Sequence, residues 1–361
     1  MKQKERKKER KKEKVLIVRL SSLGDVIFTV PLANQLKKNG YEVGWIVSEK
    51  GIDIVKDNPS VDHVYLCPLQ KWKKKGFSLS NFKEFLSILK EVRKEKYDIA
   101  IDSQQMFKSL YWMLTCGAKR RITVKGAREF ADFGGNEHIP NPYKPDFSVH
   151  AVEMNYAFAR RIGVEPDGVE FTLPPSTQET IDKIDNLLSG LDKSKPMVVI
   201  CPATTWRLKH WDKDNWKQVV DYLNGKCSLV FTGTDKDKDL ISYIGGDKHI
   251  NLAGKTNVKE LKEVFSRADL VMAPDSGSAH VAWATGKPAV ISIFTCTPPS
   301  LYGAYGNSEK YFAVNGKLDC QPCFTKSCPK IKDKEKCLKY PTPQEIINIV
   351  NKVFKFAENG V

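Results

Sequence analysis

Two short segments combine hydroxyl, amine and carboxylate side chains in patterns suited to a phosphorylated ligand. In the first, Asp275, Ser276 and Gly277 follow the apolar run 270–273 and precede a helix that carries His280 in its first turn. Backbone N–H groups and the dipole at a helix N-terminus attract anions. The alternative is that Asp275 and Ser276 only cap this helix, which is a common role for these residue types.

The second segment, 202–211 (PATTWRLKHW), follows another apolar run. Thr204 and Thr205 can donate to individual phosphate oxygens, and the ammonium of Lys209 can neutralise phosphate charge. A basic turn that bonds only its own backbone fits the pattern as well. At the end of the next strand, Thr234 or Asp235 could bond a ribose or base edge, although a plain turn fits that site better.

One carboxylate, Asp25, lies near the start of the chain in the loop 21–25 (SSLGD), which follows an apolar strand. A dinucleotide-binding loop would need a glycine triplet there, and only Gly24 is present, so a nicotinamide enzyme is disfavoured. Asp25 can act as a general base in a dry site, or it can cap the helix that follows.

Alternating strands and helices must position these loops. In the first half we expect strands at 14–20, 42–47, 64–67, 99–102 and 121–123, a helix that begins at Asp25 and runs to about Lys38, and a helix at 81–94. After Pro174-Pro175 we expect strands at 197–201, 228–232, 249–252, 270–273 and 289–294. Helices are expected there at 178–188, 215–223, 236–244 and 258–266, from 277 to near Gly286, and at 344–357. The pattern predicts an α/β protein of two doubly wound, Rossmann-like halves facing each other across a cleft.

The charge of the chain favours an anionic partner. The net charge is +15, and residues 1–14 supply +6 of it through nine Lys or Arg against three Glu. This excess suits nucleic acid, a phosphorylated substrate or an acidic membrane surface, and does not choose among them. The leading segment lacks the apolar core of a signal peptide, and no stretch is long and apolar enough to span a membrane. We therefore expect a cytoplasmic protein that can touch the membrane peripherally.

Three segments carry a resemblance to a known family: 15–31 (VLIVRLSSLGDVIFTVP), 202–211, and 269–297 (DLVMAPDSGSAHVAWATGKPAVISIFTCT). In this order they resemble the signatures of the ADP-heptose:lipopolysaccharide heptosyltransferases, glycosyltransferase family 9. The resemblance implies the GT-B fold. It also implies an inverting, metal-independent enzyme that needs no cofactor and uses ADP-L-glycero-D-manno-heptose as its donor.

The resemblance also assigns roles to residues by position. Asp25 matches the catalytic base. The acceptor-binding positions are Arg19, Ser21, Ser22 and Gly24. The donor-binding positions are Thr204, Thr205, Lys209, Asp275, Ser276, Gly277 and His280, and Thr234 is added to them from its place at a strand end. One departure is Thr295, where the family usually has glycine, and a side chain there could crowd the donor or change which sugar is accepted.

By the same resemblance, the chain divides into a basic extension (1–14), an acceptor-binding domain (15–174), a nucleotide-sugar-binding domain (175–342) and a last helix (343–361) that returns towards the first domain. The implied acceptor is lipid A bearing Kdo sugars, or a heptosylated core, at the inner leaflet of the cytoplasmic membrane. No nucleic acid partner is expected. Basic residues suited to an anionic membrane surface are Lys71, Lys73, Lys74 and Lys75 around Trp72, and Lys119, Arg120 and Arg121.

Four of the nine cysteines, Cys320, Cys323, Cys328 and Cys337, form a C-x2-C-x4-C-x8-C cluster. Four thiolates can hold a structural zinc ion or an iron–sulfur cluster, and the same residues can form a redox-sensitive clamp or pack as simple thiols. The spacing leaves these alternatives open.

Two other functions compete with heptosyl transfer. One is a related transferase that moves another nucleotide sugar to a different surface glycan, which Thr295 would allow. The other is a non-catalytic protein that binds nucleotides or anions at the membrane surface, in which Asp25 would be dispensable.

Overall fold

The computed structural model describes residues 12–76, 78–142, 146–306 and 309–356 of the 361-residue chain, with only the backbone of Lys75. Most of the predicted basic extension, and the predicted end of the last helix at Ala357, lie outside these residues. Contacts divide the chain into two compact units. The first is Met1–Ser21, Thr29–Pro142 and Asn155–Glu170, and the second is Ser22–Phe28, Tyr143–Met154 and Phe171–Val361.

The sheet of the first unit contains six strands within the described residues. They are β1 (Lys14–Val18), β2 (Glu42–Ser48), β3 (His63–Cys67), β4 (Ile99–Asp102), β5 (Arg120–Val124) and β6 (Glu137–Ile139). The strands are parallel and run in the order β3-β2-β1-β4-β5-β6. The helices in this part of the chain are α1 (Leu23–Lys38), α2 (Ile52–Val55), α3 (Leu69–Lys75), α4 (Leu79–Lys94), α5 (Phe107–Thr115) and α6 (Ala151–Arg161).

The second unit repeats this plan in its described residues. Its strands are β7 (Met197–Ile200), β8 (Ser228–Phe231), β9 (Ile250–Asn251), β10 (Leu270–Pro274), β11 (Ala289–Phe294) and β12 (Tyr311–Asn315). They are parallel in the order β12-β11-β10-β7-β8-β9. The remaining helices are α7 (Gln178–Leu187), α8 (Lys213–Leu223), α9 (Lys238–Tyr243), α10 (Val258–Arg267), α11 (Gly277–Ala284), α12 (Pro299–Tyr302) and α13 (Pro343–Phe354).

Each sheet has its own apolar core, because strands covered on both faces must be apolar throughout. In the first unit, Leu16 of β1 and Ala100 of β4 pack in one cluster with Trp112 of α5. In the second, the apolar stripe of α13 is buried in the core beside Trp216 of α8. That stripe consists of Ile346, Ile347 and Val350.

The strand order places two switch points where ligands commonly bind. In each sheet the order reverses between the first and fourth strands, which are β1 and β4 in one unit and β7 and β10 in the other. Connections there leave in opposite directions and open a crevice at the carboxyl ends of the strands. The loops after these four strands are therefore the structural candidates for a site.

The predicted α/β class with two doubly wound halves is confirmed, and each predicted strand is present within a few residues of its expected bounds. Sequence patterning missed the helices α2, α3, α5, α6 and α12 and the strands β6 and β12. Strand β12 is only half-buried, and the outward side of α5 carries apolar residues, so neither shows a clean alternation of buried and exposed positions. In the described part of the chain, every helix is too short or too polar to cross a bilayer.

Candidate active site

Asp275 follows β10 and is only 2 % exposed. Its Oδ2 lies 2.6 Å from the Lys209 ammonium and accepts a 2.5 Å hydrogen bond from the Thr297 hydroxyl. Its Oδ1 lies 3.4 Å from Nε2 of His280. Burial opposes the charged form, but hydrogen bonding from His280 and the charge of Lys209 hold the pKa of Asp275 well below its ordinary value. The ionised carboxylate therefore fixes three side chains around it.

Ser276 stands at the N-terminus of α11, where backbone N–H groups lack partners within the helix. It is the N-cap residue, yet its side chain makes no capping bond. Among the described residues, its hydroxyl oxygen is buried and has no hydrogen-bond partner. An unbonded buried hydroxyl costs about 1–3 kcal/mol. A ligand oxygen at this helix end would remove that cost, and the helix dipole favours an anionic one.

The loop after β7 joins the same cluster. The Thr204 hydroxyl donates to the backbone oxygen of Asp275 at 3.4 Å. Lys209 ends the short 3-10 turn Arg207–Lys209, and its ammonium lies 5.0 Å from the centroid of the Trp206 ring. Thr205 is exposed on this loop. The structure therefore brings Thr204 and Lys209, which belong to one predicted segment, to the start of α11, which belongs to the other.

Two threonines after β11 support this arrangement. Thr295 is buried, and its hydroxyl donates to the backbone oxygen of Leu208, next to Lys209. Thr297 bonds Asp275 as described above. Sequence reasoning considered Thr295 only as a group near the donor, and it missed Thr297. The sequence signal that could have identified Thr297 is the recurrence of threonine directly after the buried strand 289–294.

Asp25 lies in the first turn of α1, at the capping-box position three residues after Ser22. Its Oδ2 accepts hydrogen bonds from the backbone N–H of Ser22 at 3.0 Å and from the Ser22 hydroxyl at 2.9 Å. The capping role that the sequence allowed is therefore present. Asp25 is half-buried at this position.

The first turn of α1 packs against the first turn of α11 within the second unit. A Cβ atom added at Gly277 would lie 2.9 Å from Cδ2 of Leu23, and one added at Gly24 would lie 2.5 Å from Cδ2 of His280. One turn further on, the ring centroid of Phe28 is 4.6 Å from that of His280. At both predicted site glycines the two helices approach too closely for a side chain, which places the helix carrying Asp25 beside His280.

Two other predicted acceptor residues, Arg19 and Ser21, belong to the first unit, where the loops after β1 and β4 are bonded together. The Arg19 guanidinium donates to the backbone oxygen of Ser103, and the Lys108 ammonium donates to the Ser21 hydroxyl. Oε1 of Gln104 accepts from two backbone N–H groups of the β1 loop. The β4 loop therefore positions the β1 loop.

Sequence reasoning also missed Asp102, the last residue of β4. It is completely buried and accepts hydrogen bonds from the backbone N–H groups of Gln104 and Gln105 and from the hydroxyl of Ser109. Burial raises its pKa to about 6. The polar run that follows an apolar strand at this point was the signal that could have identified the loop.

Thr234 is engaged in its own turn. Its backbone N–H and its hydroxyl both donate to Oδ2 of Asp237, at 2.7 and 2.8 Å. The side chain is exposed and caps the short helical turn Asp235–Asp237. In this structure both donor groups of Thr234 thus stabilise its own turn.

Within the described residues, one group brings three ligand-type side chains within 4.8 Å of one another: Glu42, His63 and Glu95. The Lys14 ammonium lies 2.6 Å from Glu42 and 2.8 Å from Glu95, so a cationic side chain already occupies this group. The four clustered cysteines, all within the described part, are free thiols and form no such group. Burial, reinforced by the neighbouring thiols, raises the pKa of Cys337 to about 11.

Comparisons with known proteins identify the family of this chain. The family model for glycosyltransferase family 9 (heptosyltransferase) matches residues 85–333. Lipopolysaccharide heptosyltransferase 1 of Pseudomonas aeruginosa is 25 % identical over 322 residues, which are 87 % of this chain and 87 % of that protein.

Two solved structures share the fold. A family 9 glycosyltransferase from Veillonella parvula aligns with a TM-score of 0.79 and 19 % identity, over 95 % of this chain and 97 % of that one. The E. coli heptosyltransferase WaaC with ADP aligns with a TM-score of 0.72 and 20 % identity, over 94 % and 99 %. These likenesses confirm the predicted GT-B fold. Because the family model covers well over half of the sequence, the chain belongs to glycosyltransferase family 9, the heptosyltransferases, and is a glycosyltransferase.

Proposed function

We propose that this protein is a lipopolysaccharide heptosyltransferase. It moves heptose from ADP-L-glycero-D-manno-heptose to a Kdo or heptose residue of the inner core, with the acceptor bound by the part 15–174 and the donor by the part 175–342. The name of its Pseudomonas relative, and the ADP in the WaaC structure, support this choice of substrates. The enzyme works in the cytoplasm, on an acceptor held at the inner face of the membrane.

The observation that carries the proposal is the cluster around Asp275. It holds the Lys209 ammonium beside the N-terminus of α11, where the Ser276 hydroxyl is buried without a partner among the described residues. An ammonium, free helix N–H groups and an unbonded hydroxyl are a matched set of donors for a diphosphate. In the proposed complex, Lys209 and the helix dipole stabilise the charge that develops on ADP as it leaves.

The reaction is a single displacement at the anomeric carbon of the heptose. The acceptor hydroxyl oxygen forms a bond to that carbon, the bond to the β-phosphate oxygen breaks, and ADP departs with the electron pair. Asp25 takes the proton of the attacking hydroxyl. One displacement inverts the anomeric configuration, and the positive groups at α11 supply the charge stabilisation without a metal ion or cofactor.

The position of Asp25 supports its role as the base. It is one residue from Gly24, whose backbone touches His280, and two residues from Leu23, which touches Gly277. The backbone N–H and the hydroxyl of Ser22 both bond Oδ2 and so orient the carboxyl group. A capping contact and a catalytic role are therefore compatible at this residue.

The decisive experiment is a product assay with ADP-heptose and Kdo-lipid A, comparing wild type with Asp25→Asn. We expect turnover to fall by about 10²–10⁴-fold, the usual contribution of a general base, while ADP affinity stays unchanged. The matched control is Glu345→Gln, because Glu345 occupies the same capping-box position in α13.

Wild-type turnover in Asp25→Asn would remove the base assignment. Binding of ADP by the wild type without any transfer would instead favour the non-catalytic alternative. Transfer from other nucleotide sugars, but not from ADP-heptose, would favour the related transferase that Thr295 allows.

A further inference from the structure

One region of the first unit exposes many large apolar side chains. Among the described residues, eight of the eleven exposed large apolar side chains lie on three elements: α4, α5 and the 3-10 turn Arg128–Gly134. We call them the aromatic face, which comprises Leu79, Phe82, Leu86, Phe107, Tyr111, Leu114, Phe130 and Phe133. Phe130 and Phe133 are 71 % and 70 % exposed, and their ring centroids are 6.2 Å apart. Contiguous exposed apolar groups commonly mark an interaction site.

The exposed residues form regular stripes. Leu79, Phe82 and Leu86 recur at helical spacing on α4, along one flank of the side that buries Leu89 and Val92. On α5 the exposed positions 107, 111 and 114 recur in the same way, and the rings of the first two lie 5.2 Å apart. Helix α5 therefore has two apolar sides, of which the core uses one, and on α4 the apolar surface extends beyond the side that the core covers.

The stripes lie on neighbouring elements. The ring centroids of Phe85 on α4 and Trp112 on α5 are 4.7 Å apart, so the inner sides of the two helices pack together. At the other side of α5, the backbone N–H of Phe107 donates to Glu129 at 3.1 Å, which ties the helix to the turn that carries Phe130. The aromatic face is thus one region made from consecutive elements of the first unit.

Basic residues accompany this region. The segment 69–94 contains eight Lys or Arg and two Glu, a net charge of +6. Lys73, Lys74, Lys83 and Lys90 of this segment are exposed. At the other end of the aromatic face, Lys125 and Arg128 are exposed close to Phe130 in sequence. Aromatic rings beside lysines match the boundary of an anionic bilayer, because the rings enter the headgroup region while the ammonium groups meet lipid phosphates.

The face also begins at the predicted acceptor loop. Lys108, the second residue of α5, donates to the hydroxyl of Ser21, and it directly follows the exposed Phe107. A lipid-linked acceptor keeps its acyl chains in the bilayer while its sugars reach the enzyme. An enzyme seated by this face would bring the loop with Arg19 and Ser21 to the membrane surface.

We propose that the aromatic face inserts into the interfacial layer of a bilayer that carries anionic lipid, and so seats the enzyme on its acceptor. The biological role of this contact rests on the proposed function, whereas the binding of the protein to vesicles can be tested without it. A lipid surface is the partner that fits, because exposed basic side chains on the same elements, Lys83, Lys90 and Arg128, can neutralise acidic headgroups.

The test is co-flotation of the full-length protein with phosphatidylcholine vesicles in which part of the lipid is replaced by phosphatidylglycerol. We expect the double variant Phe130→Ser, Phe133→Ser to bind at least about tenfold more weakly than wild type, because two large apolar groups no longer enter the bilayer. Leu79→Ser with Phe82→Ser should weaken binding similarly from a different element. Ile331→Ser is the matched control, since Ile331 is an exposed apolar residue of the second unit.

High salt separates this contact from simple attraction by the basic segment 1–14, because salt screens charge and leaves apolar insertion intact. Wild type should retain binding in high salt, and the double variants should not. Equal binding of wild type and both double variants would overturn the proposal. So would a wild-type dimer that dissociates with the same substitutions, because the face would then join two copies.

Activity assays keep this inference distinct from the proposed function. With a Kdo acceptor that lacks acyl chains, the double variants should transfer heptose at the wild-type rate. With Kdo-lipid A in vesicles, they should be slower by about the factor lost in binding. If the wild type binds vesicles but transfers no heptose to either acceptor, the proposed function is contradicted and the proposed membrane contact is still supported.

Discussion

The backbone of Gly24 lies against the imidazole of His280, so closely that a Cβ atom at residue 24 would be 2.5 Å from Cδ2 of the ring. His280 in turn lies 3.4 Å from the buried carboxylate of Asp275. A glycine in the β1 loop therefore controls the position of a side chain in the donor loop. Sequence analysis placed both residues at the site but could not show that they touch.

Gly24→Ala should displace the imidazole or shift the first turn of α1. We expect the free energy of unfolding to fall by about 1–3 kcal/mol, the usual cost of overpacking, and turnover to fall because Asp25 moves with the turn. Urea unfolding and steady-state kinetics measure the two effects. Gly190→Ala is the control, because a Cβ there meets nothing within 4 Å. Wild-type stability and turnover in Gly24→Ala would contradict the contact.

Ser276→Ala should change stability and ligand binding in opposite directions. Removing a buried hydroxyl that lacks a partner among the described residues should raise the free energy of unfolding by up to about 1 kcal/mol. The same change should weaken ADP binding, because the hydroxyl no longer donates to a phosphate oxygen. Thermal unfolding and calorimetric titration with ADP test this pair of signs. Unchanged ADP affinity would show that Ser276 does not face the nucleotide.

Thr295→Val should loosen the donor loop. It keeps the shape of the side chain but removes the hydroxyl that donates to the backbone oxygen of Leu208, which costs about 1–3 kcal/mol at a buried site. We expect a higher KM for ADP-heptose, because Lys209 is the next residue. Thr295→Ser keeps the hydroxyl and should behave like wild type. If the serine variant instead accepts other nucleotide sugars, the side chain sets donor choice and not loop position.

His150 should make the protein less stable in acid. Its Nδ1 accepts from the backbone N–H of Val152, its Nε2 donates to the backbone oxygen of Gly303, and burial lowers its pKa to about 4 from an ordinary value of 6.5. The unfolded chain therefore binds this proton more readily than the native protein does. Stability from His150 is complete above pH 6.5 and declines between about pH 6.5 and 4, by on the order of 3 kcal/mol in total.

Urea unfolding as a function of pH tests this expectation. His150→Gln keeps an amide donor but cannot titrate. The difference in free energy of unfolding between wild type and variant should therefore be independent of pH above pH 6.5 and should change as the pH falls below 6.5, because only the wild type loses stability there. The exposed His138 provides the control substitution, His138→Gln. Parallel pH profiles for wild type and His150→Gln would show that His150 is not protonated on unfolding in this range.

Much of the fold was predictable because central parallel strands are continuous apolar runs, as in 15–18 and 289–294, and each is bounded by Gly, Pro or hydroxyl residues. Asp25, Lys209 and Asp275 could be proposed from residue type and position after such runs. The bond from Thr297 to Asp275 could not, because it joins residues 22 positions apart through the pairing of β10 with β11. The aromatic face was not predicted, because the sequence pattern of an exposed apolar stripe on a helix is the same as that of a stripe buried in the core.

The grouping of Ser22–Phe28 with the second unit has a practical consequence for dissection of the enzyme. A fragment that starts after Pro174-Pro175 would lack Phe28, whose ring lies within 6.0 Å of the ring centroids of His280, Trp283 and Tyr302. Such a half-protein would present an uncovered ring pocket to water. It should aggregate when expressed alone, because it also lacks Tyr143–Met154, the other segment that the second unit takes from the first half of the chain.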